Sequence, residues 1–250
     1  MKKLAFFDSG LGGLTVLHEA LKQMPHEQYI YFADSDNAPY GTQSTAVIKA
    51  LVFDAVDFLI QQDIKALVLA CNTATSVAIN DLRQQYFIPI IGMEPAVKPA
   101  LELVSNKKTL ICATPKTLAE KKLKLLIKKL NAVDKVERLS LQGLVSFAEN
   151  FEFTGLNVHN YLTHAFSRIN WNEFNSIVLG CTHFIYFKQI IKQIIPPHIH
   201  ILDGNEGTIR HLKNTITLKK DKNTFPIEFF NSKKTMPLTH FEPCCTLLNQ

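Results

Sequence analysis

Two cysteines stand in matching surroundings. Leu67-Val68-Leu69-Ala70-Cys71-Asn72-Thr73 parallels Ile177-Val178-Leu179-Gly180-Cys181-Thr182-His183. In each, an apolar run ends on a small residue, a cysteine follows, and polar residues open a helical pattern. A thiol at a helix N-terminus meets free amides and the positive end of the helix dipole. Both stabilise the thiolate and are expected to lower the pKa below about 8.5. Most free cysteines are simply small buried hydrophobes. Cys112, inside an apolar run, reads that way, and Cys244 and Cys245, just after Pro243, read as incidental. The duplicated context sets Cys71 and Cys181 apart, and two equivalent thiols suit a reaction with two equivalent faces.

Other chemistry-bearing residues gather at the ends of apolar runs. Asp8-Ser9-Gly10-Leu11-Gly12-Gly13 follows the first run. Its glycines let backbone amides approach a ligand. The glycine spacing is not that of a dinucleotide fingerprint, and no Gly-Lys-Ser/Thr follows to make a P-loop. Asp8 in such a loop either caps a helix or meets an ammonium group. Asp34 through Gly41 is rich in turn formers, and Tyr40 beside Gly41 can cover a pocket. Thr114 and Thr117 offer two hydroxyls around Pro115, where Thr114 can cap a helix. His183 lies two residues past Cys181 and can tune that thiol or share its proton. Glu149 taken alone reads as a surface acid. A zinc site is disfavoured because paired Cys-x-x-Cys spacing is missing. A Cys-His hydrolase would use Cys181 and His183 but leave Cys71 redundant.

The elements that must position these groups follow from periodicity. Apolar runs over 4–7, 29–33, 66–70, 88–91, 109–113 and 177–180 read as strands buried on both faces. Amphipathic stretches over 14–24, 45–62, 76–86, 115–131, 157–168 and 184–195 read as helices. This alternation predicts an α/β fold with open, doubly wound, mostly parallel sheet. The cysteine repeat predicts two similar lobes, each placing a thiol at the carboxyl end of a strand, where such sheets bind ligands.

The composition agrees. The chain has 250 residues, 46% hydrophobic and 20% charged, which excludes a disordered polypeptide. Five scattered cysteines do not make a disulfide framework. A net charge of +5 is compatible with an anionic ligand. The lysines at 121, 122, 124, 128 and 129 alternate with leucine and isoleucine at helical spacing. They read as a solvated helix face, not a nucleic-acid patch. Asp8 ends the first apolar run after four residues, too short for a signal segment, and no run approaches a membrane span. A soluble, cytoplasmic protein with no nucleic-acid or membrane partner is expected.

Taken together, Phe7 to Gly13, Ala33-Asp34-Ser35 with Pro39-Tyr40-Gly41, Ala70 to Ala74, and Leu179 to His183 closely resemble the aspartate/glutamate racemase superfamily. The Asp-Ser-Gly and Pro-Tyr-Gly segments resemble its glutamate branch, over nearly the whole chain. The resemblance implies two Rossmann-like lobes, 1–97 with 206–250 and 98–205, and an active site in the cleft between them. It implies a cofactor-independent isomerase that interconverts L- and D-glutamate and supplies D-glutamate for peptidoglycan. Cys71 and Cys181 match the catalytic acid/base pair. Asp8, Ser9, Tyr40, Gly41, Asn72, Thr73, Thr182 and His183 match substrate-binding positions, as do Thr114 and Thr117. Glu149 matches an auxiliary acid. No metal and no cofactor are expected, and a homodimer is the expected assembly. The alternatives are a racemase for another acidic amino acid such as aspartate, or a catalytically silent amino-acid-binding protein. Departures from the usual pattern fall at Asn150, at Ile185 and Tyr186, and at Gly204. They bear on rate, affinity and regulation more than on reaction type.

Overall fold

The computed structural model describes residues 2–103, 106–219, 223 and 226–248. The chain begins β1 (Lys3–Asp8), α1 (Leu14–Gln23), β2 (Tyr29–Ala33), α2 (Thr45–Ile60), β3 (Ile64–Leu69), α3 (Asn72–Gln85) and β4 (Ile90–Gly92). It continues α4 (Val97–Glu102), β5 (Lys108–Ala113), α5 (Pro115–Ala119), α6 (Lys121–Lys129), β6 (Val136–Ser140), α7 (Gly143–Glu149), α8 (Leu156–Phe166) and β7 (Phe174–Leu179). It ends α9 (Lys188–Ile194), β8 (His200–Asp203), α10 (Asn205–Thr215), β9 (Glu228–Asn231), β10 (Lys234–Met236) and α11 (Glu242–Leu248).

The strands form two sheets, in the orders β10-β9-β2-β1-β3-β4 and β6-β5-β7-β8. The second order repeats the β2-β1-β3-β4 part of the first, and every pair within these blocks is parallel. Among the described strands only β10, at one edge, runs antiparallel. The repeat extends to detail, since β1 and β5 both carry a register irregularity beside their partner, at Lys3/Leu4 and Lys108/Thr109.

The central strands are apolar because both faces are covered. In β1, Leu4 and Phe6 join one core cluster with Leu14 and Leu17 of α1, while Ala5 and Phe7 join another with Val52 and Val56 of α2. Each of the larger of these side chains, fully buried, stabilises by about 1.5–3 kcal/mol. In the second sheet Ile111 and Val178 pack with Val97 and Ala100 of α4 and with Leu123 and Ile127 of α6. The continuous apolar runs are thus the physical signature of helices on two faces of a parallel sheet.

Several expected boundaries move. The helix over 115–131 is two helices, parted at Glu120 in extended backbone. The two halves serve different neighbours, α5 lying beside α3 and the turn at Tyr40, and α6 on the core beneath α4. The stretch from 184 begins as a 3-10 turn over Thr182–Phe187 before α9. The helix expected from 76 starts at Asn72, directly after Cys71. The lysines of α6 are exposed or half-buried, with Leu123 and Ile127 on the inward face. No described helix is long and apolar enough to cross a membrane.

Candidate active site

β3 and β7 each deliver a cysteine two residues beyond their carboxyl ends. Cys71 caps α3, and its Sγ accepts the Ala74 amide at 3.4 Å. The Ser9 hydroxyl lies 3.5 Å from the same sulfur. Cys181 opens the 3-10 turn, makes no cap bond, and places its Sγ 3.7 Å from His183 Nδ1. Both are buried and unbridged. A lowered pKa for both thiols does not follow at Cys71. Burial pushes that thiol up to about 12, helped by the charge of Asp8, and the Ala74 amide and Ser9 hydroxyl only partly offset it. Desolvation of a thiolate outweighs one helix terminus here.

Asp8 does not cap α1, whose cap residue is Gly13. It is fully buried at the end of β1. Its Oδ1 accepts the Gly10 amide at 3.0 Å and its Oδ2 the Thr182 hydroxyl at 3.1 Å, so it ties the first lobe to the second. Burial pushes its carboxyl up to about 6, against the pull of His183 and these donors. Glu149, at the end of α7, is no surface acid. Its Oε1 meets His183 Nε2 at 2.5 Å and accepts the Leu11 amide at 2.8 Å. Burial opposes a charge on His183, but its contacts with Cys181 and Glu149 outweigh that and hold its pKa well above the usual value. The Gly12 amide also reaches Nε2, at 3.2 Å. Side chains at Gly10 and Gly12 would run into Glu149 and into Thr182 and His183, so the loop needs glycine for this approach.

Three hydroxyls form a second group. Thr73 lies 3.1 Å from Thr114 and 3.3 Å from Thr117, and these two are 3.1 Å apart. Thr114 caps α5 as its sequence promised, accepting the Thr117 amide. The Tyr40 hydroxyl donates to the buried Asp34 at 2.5 Å, which fixes the ring over the site, and burial with that acid pushes its pKa far up. A small cavity joins these parts. Ser9, Tyr40, Gly41, Asn72, Thr73, Thr114, Thr182 and His183 line it, with both cysteines. Asp8, Thr117 and Glu149 stand behind this lining. A wider hollow shares Pro39 and Val145 with the cavity and lies beside Glu149 and Asn150. Asn72 Oδ1 is buried with no hydrogen-bond partner among the described residues.

Several site residues carried no usable sequence signal. Gln142 and Val145 line the cavity from the start of α7, a helix whose sequence lacks clear periodicity. Tyr31 and Tyr186 donate to the carbonyls of Gly10 and Leu11 at 2.6 and 2.8 Å, fixing the glycine loop. Tyr186 is one of the departures noted above, so that change supplies a bond between the lobes. At Gly204 a Cβ would come within 2.6 Å of the Glu94 carbonyl, which explains glycine there. Cys112 is fully buried in β5, and Cys244 is buried too. Among the described residues no group of three or more His, Cys, Asp or Glu side chains is placed to hold a metal ion.

The Asp/Glu/Hydantoin racemase family model matches residues 9–212. A glutamate racemase of Halothermothrix orenii is 53% identical over 214 residues, 86% of this chain and 85% of that one. The crystal structure of a Francisella tularensis glutamate racemase in complex with D-glutamate superposes with a TM-score of 0.83 at 28% identity, covering 100% and 94% of the two chains. The Escherichia coli glutamate racemase in complex with L-glutamate and an activator gives 0.84 at 27% identity, covering 100% and 95%.

Proposed function

The chain belongs to the Asp/Glu/Hydantoin racemase family, and from that premise we propose a cofactor-independent glutamate racemase working through Cys71 and Cys181. One observation carries the reading: two thiols from matching positions on two repeated sheets open onto a single cavity. Racemisation removes a proton from the α-carbon and returns one to the opposite face. One sulfur takes the proton as thiolate while the other gives one as thiol. The two must start in opposite protonation states, and their surroundings differ in that sense. Cys71 is held as thiol by burial and the charge of Asp8. Cys181 instead faces His183, whose pKa its neighbours hold well above the usual value.

The remaining lining residues bind and orient. The Asp8 carboxylate attracts the substrate ammonium and, with Ser9, keeps it beside Cys71. The amides at the start of α3, Asn72, Thr73 and Thr182 receive the α-carboxylate as charge grows on the carbon between it and the sulfurs. Tyr40, Gly41, Thr114 and Thr117 build the end that receives the distal carboxylate. Glu149 holds His183 charged and oriented. A dry cavity strengthens each of these interactions. The residue assignments divide between lobes 1–97 with 206–250 and 98–205, and the distribution of strands over two sheets supports that division. Supply of D-glutamate to peptidoglycan, a cytoplasmic location and a homodimer complete the proposal.

Polarimetry of chelated protein with L-glutamate and L-aspartate tests the reaction. Optical rotation of the glutamate sample should decay to zero, because enantiomers have equal free energy. Activity that needs added metal or pyridoxal phosphate, or that uses aspartate in place of glutamate, would contradict the proposal.

A further inference from the structure

Gln142 stands between β6 and α7, and its side chain lines the cavity that holds both cysteines. Its Oε1 is buried, yet among the described residues no donor reaches it. An unpaired buried amide costs about 1–3 kcal/mol, and no neighbouring side chain relieves it. The carboxamide lies against Gly41: a Cβ built there would come within 2.6 Å of Gln142 Oε1 and 3.0 Å of Thr114 Cβ. Gln142, Gly41 and Thr114 thus converge from three separate segments. Among the described residues no carboxylate is hydrogen-bonded to this group, whereas Asp8 is joined to Ser9, Gly10 and Thr182. An ammonium belongs beside Asp8. The end made of neutral hydroxyl and amide groups suits an anion, and a carboxamide turned to present its NH2 donates to one.

We propose that Gln142 binds the side-chain carboxylate of the substrate and, with Gly41 and Thr114, sets the chain length the cavity accepts. This rests on the glutamate racemase reading. On this assignment glutamate's side chain reaches the carboxamide, and aspartate, one methylene shorter, falls short of it.

The test compares the parent with Gln142→Ala, Gln142→Met and Gln142→Glu, reading D-glutamate binding by calorimetry and steady-state kinetics with both substrates. Ala and the size-matched Met should each weaken D-glutamate binding and raise KM about tenfold, with kcat changed less than about threefold. The glutamate-over-aspartate ratio of kcat/KM should fall about tenfold as well. Glu should bind worse than Ala, because two carboxylates then face each other. Melting curves show that the variants fold, and Met keeps the test valid if Ala does not. Binding within about twofold of the parent for Ala and Met, or tighter binding by Glu, overturns the proposal. If the parent itself neither binds nor racemises glutamate, the glutamate reading fails first and takes this proposal with it. If the parent is active and the variants match it, this proposal alone fails.

Discussion

Cys71 caps a 14-residue α-helix and takes an amide and a hydroxyl to its sulfur, with Asp8 as the nearby charge. Cys181 leads into a six-residue 3-10 turn, has no cap bond, and instead faces an imidazole backed by Glu149. The strands that deliver them are equivalent, β3 beside β1 and β7 beside β5. The repeat therefore sets where the thiols stand, and the neighbours that break the repeat set what each thiol does. A racemase needs both: matched positions for the two faces of one carbon, and unmatched protonation so that one sulfur can take while the other gives.

The strongest way to break the comparison is to remove either thiol. Cys71→Ser and Cys181→Ser should each cut kcat/KM by about three orders of magnitude or more, since a serine hydroxyl is a far weaker acid near neutral pH. Cys245→Ser, in the half-buried C-terminal helix, serves as the control and should stay near the parent rate. One cysteine variant retaining parent activity would leave a single working base.

Removing the partner of one thiol sharpens the asymmetry. His183→Asn should lower kcat/KM by about 10²-fold, equally for both enantiomers because the equilibrium constant is one. The primary deuterium isotope effect should nevertheless rise only in the direction in which Cys181 removes the α-proton. A rise of equal size in both directions would mean that His183 serves the cavity as a whole and not one corner.

The smallest effect comes from Asp8, whose carboxyl is pushed up from 3.8 to about 6. Glutamate kcat/KM should fall as pH drops through about 6, where the ammonium loses its carboxylate. Stability should move oppositely. A carboxyl whose folded pKa exceeds its unfolded value costs stability that is fully present above about 6 and absent below 3.8. Asp8→Asn should therefore raise thermal stability by about 1–3 kcal/mol near pH 8, and the gain should vanish near about pH 3.5, below both values. A gain that persists in acid would point to packing and not charge.

The parts of the fold legible in sequence are those where one physical cause dominates. β1, β2, β3, β5 and β7 are buried on both faces over most of their length, so each carries a continuous apolar stretch. β6 and β8 lie at the edges of the second sheet, carry Glu137, Arg138 and His200, and are largely half-exposed, so no run marks them. The β9–β10 pair is short and equally mixed. The cysteine corners were legible because strand end, thiol and helix start are all local. Glu149 against His183, Thr182 against Asp8 and the place of Gln142 were not, because each depends on how two lobes meet across many intervening residues. The elevated thiol at Cys71 has the same origin: capping is written locally, and burial is not.

The central claim is that two sulfurs divide the proton transfer, and the direct measurement is racemisation of L-glutamate in heavy water, stopped after a small fraction of conversion. The donating thiol equilibrates with solvent between turnovers. The D-glutamate formed should carry deuterium at the α-carbon from the first turnovers, while the remaining L-glutamate stays largely protiated. Protium carried over into the product, with substrate labelled as fast as product forms, would mean that a single base shuttles the proton and would contradict the account.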